Sequence, residues 1–129
     1  MTLVSCNGCF DGLHKGHMFF LGFCAGLGDT MVVWLNSDKY IQQVKGITPL
    51  YSECDRVKMI QDLGIVSHVS VFDSPTPEHL LRACLPDIHV TGQDDVLEEE
   101  AALCTELGIR LVLVPRIGSW SSTALRLKN

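Results

Sequence analysis

Asn7-Gly8-Cys9-Phe10-Asp11-Gly12-Leu13-His14-Lys15-Gly16-His17 follows an apolar strand, Leu3-Val4-Ser5-Cys6, and leads into a stretch where Met18, Leu21, Ala25 and Leu27 are spaced for one helical face. A glycine-punctuated turn between a strand and a helix exposes backbone N–H groups at the helix N-terminus. The first four amides there lack partners and the helix dipole is positive, so phosphate oxygens are held. His14 and His17 stand three residues apart, separated by Lys15 and by Gly16, whose missing side chain lets a ligand approach the backbone. Hydrogen-bond donors and a cation meet in one turn.

Outward from this stretch, strand and helix signals alternate. Thr30-Met31-Val32-Val33-Trp34-Leu35 is a near-continuous apolar run, as expected of a strand buried on both faces of a parallel sheet. Asn36-Ser37-Asp38 offers caps for a short helix through Tyr40, Ile41 and Val44, which Lys45-Gly46-Ile47-Thr48-Pro49 breaks. Ser52-x-x-Asp55 has the layout of a capping box and opens a helix with Val57, Ile60 and Leu63 on one side. His68–Phe72 reads as a strand, Thr76 as an N-cap with Pro77 at the first helical position, and Ile88-His89-Val90 as a short strand. Val96 through Leu107 reads as an amphipathic helix with Glu98-Glu99-Glu100 on a solvated face. Arg110–Val114 is the last strand, and Ser121-Ser122-Thr123 caps a terminal helix. Gly28 is the expected stop of the first helix.

This alternation predicts an α/β fold: a single-domain, Rossmann-like, doubly wound parallel five-stranded sheet flanked by helices, spanning residues 1–129. Ligands of such sheets bind beyond the carboxyl ends of the strands, at the point where strand order reverses. The turns at Asn7–His17, Lys45, Gly92–Asp95 and Arg116–Thr123 are all expected on that side.

With 47% apolar and 19% charged residues the chain is expected to be globular, and a net charge of −5 argues against a nucleic-acid surface. No apolar run approaches the roughly 18 residues that a membrane span needs. No signal peptide precedes Met1-Thr2-Leu3, so a soluble cytoplasmic protein is the expectation. Six cysteines sit mostly inside apolar patterns and read as reduced thiols. Cys6-x-x-Cys9, between a strand and a helix, is also how a redox site would read; zinc is disfavoured because no second CxxC occurs.

Gly8-x-Phe10-Asp11-x-Leu13-His14-x-Gly16-His17 resembles the signature of the cytidylyltransferase-like, or HxGH, nucleotidyltransferases. These enzymes join a nucleoside monophosphate from NTP to a phosphorylated acceptor. The resemblance implies catalytic roles for His14, His17, Lys45 and Arg116, and nucleotide contacts from Gly8, Cys9, Phe10, Asp11 and Gly16. It implies further nucleotide contacts from Gly92 and Asp94 in the Thr91-Gly92-Gln93-Asp94 turn, where Thr91 replaces a frequent lysine. Arg116-Ile117-Gly118-Ser119-Trp120-Ser121-Ser122-Thr123 resembles the second signature, whose hydroxyls and helix amides, here those of Ser121, Ser122 and Thr123, bind the triphosphate.

Lys45 and Arg56 match phosphate-contacting or acceptor-contacting cations of relatives. Asp11 reads either as a turn cap or, by the resemblance, as a group near metal and phosphates. Mg²⁺ arriving with the NTP, small-molecule substrates and a homodimer are implied in the same way; no protein metal-ligand set is expected.

Asn7-Gly8-Cys9-Phe10-Asp11, Asn36-Ser37-Asp38, Lys45-Gly46 and Thr76-Pro77 look most like the adenylyltransferase domain of ADP-heptose synthases, which couples ATP to heptose 1-phosphate. Val114-Pro115-Arg116 with Gly118 looks instead like the CTP-dependent glycerol-3-phosphate cytidylyltransferases. The residues therefore leave ATP with a sugar phosphate, CTP with an alcohol phosphate, and a non-catalytic nucleotide-binding or redox module as alternatives, taken in that order.

Overall fold

A computed structural model describes residues 1–93 and 96–114. Its elements are β1 (Leu3–Gly8), α1 (Lys15–Ala25), β2 (Thr30–Asn36), α2 (Asp38–Lys45), α3 (Glu53–Gln61), β3 (His68–Phe72), α4 (Glu78–Cys84), β4 (Ile88–Gly92), α5 (Glu98–Leu107) and β5 (Arg110–Val114). The five strands form one parallel sheet in the order β3-β2-β1-β4-β5. Chain order reverses on either side of β1, so the crevice lies beyond the carboxyl ends of β1 and β4. The expected architecture is the observed one.

Side-chain alternation splits the core into two layers. Val4, Cys6, Val33 and Leu35 face one side and pack with Phe20, Leu21 and Cys24 of α1 and Ile60 of α3. Val32, Trp34 and Phe72 face the other and pack with Leu81 of α4 and Leu103 and Cys104 of α5. These layers hold the ends of β1, β2 and β4 in place under the turns that follow them.

Several local expectations shift. β1 continues past Cys6 because Asn7 and Gly8 pair with Trp34 and Leu35 of β2, so ladder bonds extend the strand into polar sequence. β4 likewise runs on to Gly92 beside Val114. The buried face of α1 is Gly16, Phe20, Leu21 and Cys24, whereas Met18 is exposed. α1 ends at Gly26, two residues before Gly28. Gly28 serves a close approach instead: a Cβ there would lie 2.7 Å from the Thr2 carbonyl oxygen and from Val4 Cγ2. Pro77, not Thr76, is the N-cap of α4, and its carbonyl accepts the Leu81 amide at 2.8 Å as the first helical bond. α5 starts at Glu98 rather than Val96. The terminal helix expected after Ser121 lies outside the described residues.

Candidate functional site

A cavity of about 530 Å³ opens at the crevice. Its walls come from the β1–α1 turn (Gly8, Cys9, Phe10, Asp11), from His14 and His17 at the start of α1, from Asn36, Tyr40 and Lys45, and from Thr91 and Gly92 of β4. Its volume is within the range of small-molecule sites.

The two histidines are held by their own helix. His14 is the N-cap of α1, and its Nδ1 accepts the amides of Gly16 at 3.0 Å and His17 at 3.4 Å. His17 Nδ1 accepts the His14 amide at 3.4 Å, closing a capping box made of two imidazoles. With Nδ1 used as an acceptor in each ring, the neutral proton sits on Nε2, which leaves an N–H donor on the far edge. The rings stack with centroids 3.8 Å apart and 27° between planes. Burial pushes the His17 pKa below the usual histidine value, the neighbouring His14 charge pushes it the same way, and a hydrogen bond to the Gly12 backbone acts against both. The neutral imidazole is therefore the form that burial and His14 favour at His17.

Phe10 supports this pair. It is 4% exposed and has φ of 46°, a left-handed conformation that costs a non-glycine residue about 1–2 kcal/mol. Its ring meets His17 edge-on at 5.4 Å and Phe20 at 6.1 Å. Gly8 makes room for it, since a Cβ there would lie 2.9 Å from Phe10 Cε2.

Asp11 turns its carboxylate to the next loop: its two oxygens accept the amides of Leu50 at 2.7 Å and Tyr51 at 2.8 Å. It thus acts as a loop cap while still lining the cavity. Lys45 Nζ donates to Cys9 Sγ at 3.3 Å, and the Cys9 thiol donates to Asn36 Oδ1 at 3.5 Å.

Arg56, expected among the phosphate or acceptor contacts, is not brought to the cavity wall. It is fully buried beneath it. Nη1 donates to the carbonyls of Cys9 and Asn36, both at 2.8 Å; Nη2 donates to Asp38 Oδ1 at 2.7 Å and Nε to the Tyr51 carbonyl at 3.1 Å. One guanidinium thereby ties together the ends of β1 and β2, the start of α2 and the loop before α3. A planar fork with five donors suits this task.

Glu100 is a second correction. Rather than lying on a solvated face, it is 2% exposed, and its Oε2 accepts from His89 Nε2 at 2.8 Å. His89 Nδ1 lies 2.7 Å from Ser5 Oγ. In the neutral tautomer His89 donates from Nε2 and accepts the Ser5 hydroxyl, which satisfies all three buried groups. The network sets α5, and with it one wall of the cavity, against β1 and β4.

Cys6 packs in the core against Cys24; the hydrogen bond its thiol donates to Cys24, together with full burial, holds its pKa well above the usual value, so it stays a thiol. Such a buried thiol is inert, which takes Cys6 out of a redox reading of Cys6-x-x-Cys9. Asp94, Arg116, Ser121, Ser122 and Thr123 lie outside the described residues. Asn7 and Asn36 escaped the sequence reading as cavity residues. Their signal is a polar side chain ending an otherwise apolar strand at its carboxyl end.

Comparison with known proteins agrees with this geometry. The chain is 42% identical over 130 residues, 96% of its length and 27% of the relative's, to a bifunctional protein HldE of Streptomyces coelicolor. It is 44% identical over 98 residues, 75% of its length and 21% of the relative's, to a bifunctional protein HldE of Helicobacter pylori strain P12. The chain thus spans about a quarter of these relatives. A lipopolysaccharide core biosynthesis protein from Thermoplasma volcanium superposes with a TM-score of 0.77 at 26% identity, over 90% of this chain and 98% of that one. A pantoate-beta-alanine ligase from Francisella tularensis shares the fold, with a TM-score of 0.61 at 13% identity over 88% of this chain and 59% of that one. Residues 5–126 match the cytidylyltransferase-like family model, and the chain belongs to that family of nucleotidyltransferases.

Proposed function

We propose that this chain transfers the nucleoside monophosphate of an NTP, with ATP favoured, to a phosphorylated sugar such as heptose 1-phosphate. An oxygen of the acceptor phosphate attacks the α-phosphorus in line; the bond from that phosphorus to the bridging oxygen breaks, and pyrophosphate leaves. The observation that carries this reading is the stacked His14–His17 pair at the N-terminus of α1, in the wall of a cavity at the sheet's switch point.

Charge grows on non-bridging and leaving oxygens during such a displacement, and preset donors that meet it are usually the largest catalytic term. The imidazole N–H groups of His14 and His17 are donors of that kind. Lys45, also in the wall, supplies a positive charge. Asp11 is a carboxylate of the wall, as is Glu100, and is a hard oxygen donor suited to Mg²⁺ that arrives on a triphosphate and keeps most of its ligands as phosphate and water. Bound there, Mg²⁺ would neutralise phosphate charge. Arg116, Asp94, Ser121, Ser122 and Thr123 complete the proposal on sequence resemblance alone, and so does a homodimer.

Similarity to proteins named HldE and to a lipopolysaccharide core biosynthesis protein supports a saccharide acceptor. The run Val114-Pro115-Arg116 supports a second reading, CTP with glycerol 3-phosphate. Pyrophosphate release, measured with ATP and with CTP against heptose 1-phosphate, hexose 1-phosphates and glycerol 3-phosphate, tests both. Release with ATP and a sugar phosphate is expected. Release only with CTP and glycerol 3-phosphate would favour the second reading, and none with any pair would sink both.

A further inference from the structure

Among the described residues, Asn7 Oδ1 is the buried side-chain oxygen without a hydrogen-bond partner. Such an orphan disfavours the free protein, and native folds keep few of them. Asn7 sits at the carboxyl end of β1, opposite Trp34, and lines the cavity. Strand alternation puts it on the same face as Ser5. Two other acceptor atoms of the cavity lining are engaged: Glu100 Oε2 accepts from His89, and Asn36 Oδ1 accepts from the Cys9 thiol. Asn7 Oδ1 has no such donor among the described residues.

A neutral carboxamide oxygen needs an O–H or N–H donor, and phosphate oxygens at neutral pH offer none. The group that meets Asn7 Oδ1 is therefore not a phosphate oxygen. Sugar hydroxyls are the donors that a nucleotide and a sugar phosphate share. We infer that Asn7 is a specificity-determining residue whose side-chain oxygen accepts a hydrogen bond from a sugar hydroxyl of the bound ligand. This rests on the nucleotidyltransferase reading and names the group that the cavity floor selects.

Calorimetric binding to the full chain tests it, comparing wild type with Asn7→Leu, which keeps the size and removes the acceptor. The probes are ATP, 2′-deoxy-ATP and 3′-deoxy-ATP, then mannose 1-phosphate and its monodeoxy analogues. Asn7→Leu is expected to weaken one hydroxylated probe about tenfold and to bind the matching deoxy analogue as wild type does. Closure of the gap with a deoxy-ATP assigns the contact to the ribose; closure with a deoxy sugar phosphate assigns it to the acceptor. The melting temperature of the free variant should not fall, because an orphan has been removed; a purely structural Asn7 would lower it. Should Asn7→Leu fail to fold, Asn7→Ala carries the same comparison. Wild-type binding with no difference in the variant, or an equal loss on hydroxylated and deoxy probes, overturns this inference alone. Wild-type protein that binds neither ATP nor any sugar phosphate overturns the nucleotidyltransferase reading, and this inference with it.

Discussion

His14 uses one edge of its ring to cap α1 and presents the other as a donor, and the two tasks separate by substitution. His14→Ala should lose both, with about 0.5–2 kcal/mol of stability gone with the cap. His14→Ser should restore the cap and the melting temperature but not turnover. If His14→Ser turns over like wild type, the ring is only a cap. His17 adds a pH dependence. Its folded pKa lies below the ordinary value, so the unfolded chain binds the proton more readily. Stability is then fully present above about pH 6.5, the unfolded histidine value, and declines as pH falls toward the folded pKa. Melting temperatures measured from pH 8 to pH 5 should show this decline in wild type and a shallower one in His17→Gln; parallel curves would contradict it. The spacing of the two histidines was plain in the sequence, because a motif is local. Their reciprocal capping was not, since histidine is not among the preferred N-caps.

Between elements, Arg56 and the Ser5–His89–Glu100 network do the positioning. Arg56→Ala leaves Asp38 and three carbonyls without their shared donor and should cost at least about 3 kcal/mol in chemical denaturation. Arg56→Lys should recover little, because one ammonium does not span acceptors on four segments. Near-wild-type stability in Arg56→Ala would contradict the role. Glu100→Ala leaves His89 Nε2–H unpaired in the core and should cost about 1–3 kcal/mol. Neither arrangement was legible from the chain. Arg56 lies 47 residues from Cys9, and His89 lies 84 from Ser5. Nothing local distinguishes Glu100, turned inward onto a histidine, from Glu98 and Glu99 beside it, which are exposed. Strands and helices, by contrast, were readable, because each carries its own periodicity and stop signals; the errors fell at the ends, where sheet pairing prolonged β1 and β4 into polar residues.

At the scale of the molecule, the sheet order alone puts the ends of β1 and β4 side by side, and alternating strands and helices were enough to foresee a crevice there. Which base and which acceptor fill it depends on a few side chains, and periodicity carries no information about those. A ligand that binds the folded chain alone should raise its stability by about 2.7 kcal/mol at a hundredfold excess over Kd, so MgATP should raise the melting temperature more than Mg²⁺ alone; no shift would argue against a nucleotide site. The sharpest test is the rate of pyrophosphate release at saturating substrates in wild type and in His17→Ala. The account predicts a fall of about 10²–10³-fold with the fold intact, the size expected when one transition-state donor is lost. Turnover equal to wild type in a folded His17→Ala would contradict it.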